Sequence, residues 1–243
     1  MGIINFNGVS SEDLGLIVQF TPTYQYPERE YEKVHIPGKN GELLLDSGYF
    51  KNVERKYSLA KIYKRGQGFV ASANAIASWL HSANGYARLE DSYEPEYYRE
   101  AMYKSEGEMT NYQDTVTVLE VKFECKPQRW LISGEKEIAI GNDYDITNPT
   151  SFDASPIIKF TTVPNQSTTI NIGDYQMVLE SFNVAKNIVI DCLQMECYSL
   201  NESYNSKLIL NSDSFPKLKG KSTTNIKITN ATNISLIPRW WTL

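Results

Sequence analysis

The most regular alternation of apolar and polar positions runs from Thr115 to Cys125. Thr115, Thr117, Leu119, Val121, Phe123 and Cys125 fall on one parity, with Glu120, Lys122 and Glu124 on the other. A period of two predicts a half-buried antiparallel strand with one face in a core. A second period occurs once. Phe69, Ala73, Ile76 and Leu80 recur at steps of four, three and four, which predicts a helix over Gln67 to Ala83, stopped by Asn84-Gly85. Around these, Ile3 to Val9 and Leu14 to Phe20 read as strands separated by a Ser10-Ser11-Glu12-Asp13 turn. Arg55 to Tyr63 and Tyr97 to Ser105 read as further strands, and Pro22 to Glu30 as irregular chain.

Between Tyr31 and Leu59 the pattern is an apolar approach, a turn and a second strand. In His35-Ile36-Pro37-Gly38-Lys39-Asn40-Gly41-Glu42, Pro37 fixes φ, while Gly38 and the Asn40-Gly41 pair accept positive φ. A β-hairpin follows from these residues alone. Leu43-Leu44-Leu45 comes directly after the turn. Side chains alternate along a strand, so three successive leucines cannot share one face. Either Leu44 or the pair Leu43 and Leu45 is therefore expected to meet something outside its own domain. Pro37, Gly38, Asn40, Gly41, Leu43, Leu44 and Leu45 are the candidate interface residues.

Beyond Lys126 to Ser133 the texture changes to fewer charges and more Asn, Ser and Thr. Ile138–Ile140, Ile157–Phe160, Thr168–Ile172, Gln176–Leu179, Ile188–Ile190, Glu196–Tyr198, Lys207–Leu210, Asn225–Ile228 and Ile234–Ile237 are candidate strands with turn signals between them. That spacing predicts a sandwich or jelly roll. The fold class is thus mainly β in two domains, 1–132 and 133–243. The first is a β-sandwich with one helix and a hairpin.

Composition narrows the function mainly by exclusion. The net charge of -5 comes without a cluster of Lys and Arg, which argues against specific nucleic-acid binding. Met1 to Ser10 has neither a basic nor an apolar segment of a signal peptide, and Phe6 stands where a myristoylation site needs Ser or Thr. No apolar run approaches membrane-spanning length. Three cysteines, Cys125, Cys192 and Cys197, suit a reducing cytosol and read as small core residues.

Candidate chemistry is sparse. His35 and His81 are the only histidines, and they form no His-x-x-x-His pair. Asp91, Glu94 and Glu96 have the composition of a glycosidase carboxylate pair but crowd around Pro95, and read as a solvated acidic turn. Gly220-Lys221-Ser222 imitates the end of a P-loop, yet Phe215 occupies its first glycine position. Tyr24, Tyr26, Tyr31, Tyr93, Tyr97 and Tyr98 could stack on sugars or anchor interfaces. The residues alone describe a secreted-looking or structural β protein without visible catalysis, cofactor or metal.

Taken in order, several segments resemble the distal tail protein (Dit) family of long-tailed siphophages. They are FNGVSSEDLGLIV, the Pro-Gly-x-x-Gly turn at 37–41, Trp79-Leu80 before Gly85-Tyr86-Ala87-Arg88-Leu89, and Phe123-Glu124-Cys125-Lys126-Pro127. Asn148-Pro149-Thr150, Ser155-Pro156, Ile188-Val189-Ile190-Asp191, Phe215-Pro216-Lys217-Leu218 and Pro238-Arg239-Trp240-Trp241 continue the match. It departs at Gly220 to Asn225, where extra polar residues replace the family's Gly-x-Asn.

The resemblance implies a homo-hexameric ring made by the N-terminal domains, with galectin-like C-terminal domains outside it. Such a ring joins the tail tube protein to the tail-tip protein (Tal) and carries receptor-binding or baseplate proteins. It also implies a virion protein made in the bacterial host cytoplasm, where the Asn-x-Ser/Thr sites at Asn165, Asn201, Asn230 and Asn233 carry no weight. Two rivals remain from the residues: a carbohydrate-binding adhesin using the C-terminal sandwich, and a tail-associated hydrolase.

Overall fold

The computed structural model describes residues 2–62, 68–104, 109–112 and 116–243. Met1, Tyr63, Gln67, Ser105 and Thr115, which entered the readings above, lie outside the described residues. Two compact units emerge, one running up to Arg129 and including Leu243, the other Trp130–Thr242. Both are built mainly of β-strands.

The first unit contains β1 (Ile4–Phe6), β2 (Val9–Ser10), β3 (Ile17–Val18), β4 (Arg29–His35), β5 (Glu42–Phe50) and β6 (Val53–Ile62). These are followed by α1 (Phe69–Leu80), β7 (Ala87–Asp91), β8 (Tyr97–Lys104), β9 (Met109–Tyr112) and β10 (Val116–Leu131). One sheet takes the order β2-β1-β7-β8-β10-β6-β3, with β9 also on β10, while among the described residues β4 and β5 pair only with each other. The alternating run is β10. It pairs with β6 from Val116↔Ile62 to Cys125↔Val53, which turns Leu119, Val121, Phe123 and Cys125 into the core.

The helix covers this core with Ile76, Trp79 and Leu80 fully buried, whereas Phe69 and Ala73 at its start are only half-buried. Trp79 satisfies its indole by donating to the Phe6 carbonyl at 3.2 Å, which ties α1 to β1. Leu80→Ala is expected to destabilise this unit by about 2–5 kcal/mol through the cavity it leaves, and Ile76→Ala by less. Denaturant titration checks both. An unchanged Leu80→Ala midpoint would remove the stripe from the core.

Two local expectations need correction. Ile3 to Val9 is not one strand, because Asn7 (φ 52°) and Gly8 (φ 81°) form a two-residue turn between β1 and β2. Leu14 to Phe20 yields only Ile17–Val18, since a 3-10 turn over Glu12–Leu14 ends on left-handed Gly15.

The second unit contains β11 (Ile138–Ala139), β12 (Asp143–Thr147), β13 (Ile157–Thr162), β14 (Thr168–Ile172), β15 (Tyr175–Leu179) and β16 (Asn187–Asp191). Then come β17 (Glu196–Ser199), β18 (Glu202–Ser203), β19 (Leu208–Leu210), β20 (Thr223–Thr229), β21 (Ala231–Ile237) and β22 (Trp241–Thr242). Two sheets, β11-β21-β13-β16-β17-β18 and β12-β20-β14-β15-β19, bury one core between them, with Ile158, Ile170, Ile190, Leu218, Ile226 and Leu236 at its centre.

Motifs far apart in sequence meet here as pairs. The Asn148 amide donates to the carbonyls of Phe152 (2.9 Å) and Leu218 (3.0 Å), and its oxygen accepts from the Thr150 backbone and hydroxyl. The Asn-Pro-Thr segment is thereby fastened to Phe-Pro-x-Leu. The Arg239 guanidinium forks onto Asp191, 2.7 Å on one side and closer on the other, joining the apolar-Asp step to the basic-aromatic ending. Burial pushes the Asp191 carboxyl up, but its bonds to Arg239 and to the Gln194 backbone hold it below the usual range. At Gly220-Lys221-Ser222, the Lys221 N–H donates to the Thr150 carbonyl at 2.7 Å, so the P-loop look-alike is part of the same turn.

Candidate assembly interface

The β4–β5 hairpin is the part of the first unit that its own fold leaves uncovered. β5 and β6 are separated by only Lys51 and Asn52, yet their surroundings differ sharply. β6 alternates buried and partly exposed positions, while every residue of β5 except Phe50 is exposed. The turn is built as its residues require. Lys39 N–H donates to the Ile36 carbonyl at 3.1 Å, with Pro37 and left-handed Gly38 (φ 81°) between, and Gly41 (φ 86°) leads into β5. Pro37, Gly38, Asn40 and Gly41 all lie exposed at this tip.

The register fixes what each face carries. Val34 lies opposite Leu43, and Glu32 opposite Leu45, on one face. Lys33 lies opposite Leu44, and His35 opposite Glu42, on the other. Leu43, Leu44 and Leu45 are 47%, 54% and 45% exposed, so leucine is presented on both faces. Exposed Tyr31 and Tyr49 extend the apolar surface towards the base of the arm. Three ion pairs run along the arm, Arg29–Asp46, Lys33–Glu42 (3.8 Å) and Lys51–Glu30 (2.5 Å). These pairs help hold the hairpin, and its leucines and tyrosines stay uncovered.

The acidic turn departs from its expectation. Only Glu96 is solvated; Asp91 is buried and Glu94 nearly so. Arg55, Arg99 (3.1 Å) and Arg129 (2.6 Å) converge on the Glu94 carboxylate. Arg55 is only 1% exposed and lies under the Tyr24 ring, 4.0 Å from its centroid. Asp91 accepts from the Tyr57 hydroxyl at 3.0 Å and the Tyr93 N–H at 2.8 Å. Glu94, enclosed by guanidinium groups, ties strands together, and Asp91 is held by a tyrosine hydroxyl and a backbone N–H. Two more tyrosines are also occupied by arginine, Tyr97 over Arg129 and Tyr98 over Arg88, whereas Tyr26 is left open.

His81 packs edge-on against Tyr103 at 5.2 Å, and His35 stands exposed beside Glu42 on the arm. The three cysteines are buried and unpaired, with burial pushing the Cys125 and Cys197 thiols up to about 12. Among the described residues, no group of three or more His, Cys, Asp or Glu side chains is arranged to hold a metal ion. Among the described residues, no helix is long and apolar enough to cross a membrane.

No family model and no curated protein matches the sequence. Solved structures do match. The Dit (gp19.1) protein of phage SPP1, described as a paradigm of the hub adsorption apparatus in phages infecting Gram-positive hosts, superposes with a TM-score of 0.76 at 15% identity, with 100% of both chains covered. A chain of the phage P2 baseplate in its activated conformation with Ca gives 0.54 at 9% identity, covering 98% of this chain and 97% of the other. The same baseplate with Sr gives 0.50 at 9%, covering 97% and 96%. At such identities the likeness is one of fold alone, and it spans both chains in full for the SPP1 protein.

Proposed function

We propose that this chain is the distal tail hub protein of a long, non-contractile phage tail. It is a non-catalytic adaptor that assembles as a homo-hexameric ring, joins the tail tube to the tail-tip protein and carries receptor-binding or baseplate components. The observation behind this reading is the full-length fold match to the SPP1 hub protein, together with motifs that recur in the same order along the chain. The exposed arm supports a part in assembly, because leucines on both faces of a two-stranded sheet need partners that the monomer does not supply.

In this reading residues 1–132 make the ring and 133–243 are galectin-like domains outside it. Each unit has a separate apolar core, which suits independent folding. Light scattering of the full chain, and of the 1–132 and 133–243 pieces, tests both claims. The expected result is a mass of about six chains for the full protein and for 1–132, and a monomer for 133–243. A monomeric full chain that also fails to enter tails would overturn the hub assignment. An oligomeric 133–243 would reverse the roles of the two domains.

A further inference from the structure

The sequence holds three Asn-Gly pairs, Asn7-Gly8, Asn40-Gly41 and Asn84-Gly85. Such a pair carries a reaction of its own. The glycine nitrogen can attack the side-chain carbonyl carbon of the asparagine, because glycine has no Cβ to hinder the approach and its backbone turns freely. The fold treats the three pairs differently, and that difference decides which one reacts.

Asn7 is held. It is left-handed (φ 52°) in the turn between β1 and β2, and its N–H donates to the Arg88 carbonyl at 2.9 Å. Its side-chain amide donates to the Ser82 hydroxyl at 3.1 Å, and β1 pairs on its other side with β7 inside the main sheet. Asn84 is exposed, but it lies between buried Leu80 of α1 and buried Leu89 of β7, and Gly85 is half-buried. Asn40 has none of these restraints. Both Asn40 and Gly41 are exposed, and no hydrogen bond from the described residues holds the Asn40 amide or the Gly41 N–H. They stand at the tip of a hairpin that, among the described residues, pairs with no other strand. A ribbon of that kind opens at its tip at low cost.

We infer that Asn40 is a site of spontaneous deamidation and that its conversion disables the arm. The Gly41 nitrogen bonds to Asn40 Cγ, the Cγ–Nδ2 bond breaks, and ammonia leaves with the Gly41 proton. Water, the sole co-reactant, then opens the cyclic imide at either carbonyl and yields aspartate or isoaspartate. Both products place a new carboxylate close to Glu42, the first residue of β5. Isoaspartate also routes the main chain through an extra carbon, beside the His35↔Glu42 rung that closes the ladder. The loss of function, though not the reaction, rests on the reading of this chain as a hub whose arm takes part in assembly.

The test begins with purified full-length protein held at physiological temperature and mildly alkaline pH. Peptide mapping by mass spectrometry should show a gain of about 1 Da at Asn40, the exchange of NH2 for OH. That gain is expected to be roughly tenfold faster or more than at Asn7, and faster than at Asn84. Asn40→Gln, whose longer side chain disfavours ring closure, should melt as wild type and show no gain at position 40. Fresh protein, aged wild type and aged Asn40→Gln are then added to lysates of cells infected with a phage lacking this chain. Aged wild type is expected to restore severalfold fewer complete tails than fresh protein, and aged Asn40→Gln as many.

Equal rates at Asn40 and Asn7 would overturn the assignment of the site. Aged wild type that restores tails as well as fresh protein would overturn the disabling of the arm, as would a loss shared equally by aged Asn40→Gln. Fresh protein that enters no tails would count against the hub reading, while the peptide map still decides whether Asn40 reacts.

Discussion

Glu94→Ala is expected to destabilise the first unit by about 3–5 kcal/mol, because it leaves buried guanidinium groups without the carboxylate they share. Arg55, Arg99 and Arg129 come from β6, β8 and β10, so this one side chain clamps three strands. Burial pushes the Glu94 carboxyl up, but the charges of Arg99 and Arg55 and the bond from Arg129 outweigh it and hold it below the usual range. A carboxylate with a folded pKa below its unfolded value contributes stability fully present above the unfolded pKa, roughly 4.3. That contribution is lost as pH falls through the folded value.

Asp91 acts with the opposite sign. Burial raises it despite its bonds from the Tyr93 N–H and the Tyr57 hydroxyl. Its ionised form is disfavoured by folding, so it lowers stability above its folded pKa and ceases to do so on acidification. Denaturant titrations of wild type and Glu94→Ala should therefore differ most at neutral pH and converge as pH falls below about 4. A difference constant from neutral to strongly acid pH would show that the clamp is not ionic.

This clamp could not be read from the sequence. Three arginines scattered between positions 55 and 129 carry no local signal, and a Pro-centred acidic turn normally faces water. Burial arises only when the sheet brings β6, β8 and β10 together. β12 was missed for a related reason. Its sequence DYDIT buries only Ile146, while Asp143 and Asp145 are held by the Asn225 amide at 2.8 Å each across the sheet. By contrast, periodicity identified β10, the Ile76–Leu80 face of α1 and most strands of the second unit, because a half-buried element writes its own period into the sequence. The motif pairs behave in an intermediate way. Order along the chain carried the resemblance, but only the fold shows that Asn148 serves Leu218 and that Arg239 serves Asp191.

The three leucines of the arm bear on assembly. Alternation demands that at least one leave its own domain's core, and all three are exposed on a hairpin that, among the described residues, joins no other sheet. Burying each against a neighbouring subunit would contribute about 1.5–3 kcal/mol, repeated at every contact of a ring. Leu44→Asp and Leu43→Asp are therefore expected to leave the monomer folded and abolish assembly. Leu44 faces Lys33 across the strand pair, so an aspartate there gains a cationic neighbour within the hairpin and tests the interface with little disturbance to the arm. Leu43 lies opposite Val34 on the other face, so the pair of variants reports which face is covered. Circular dichroism of each purified variant should match wild type, while complementation of a phage lacking this chain should yield no complete tails. Normal tails from both variants would remove the arm from the interface, and loss of folding would return these leucines to the monomer's own stability.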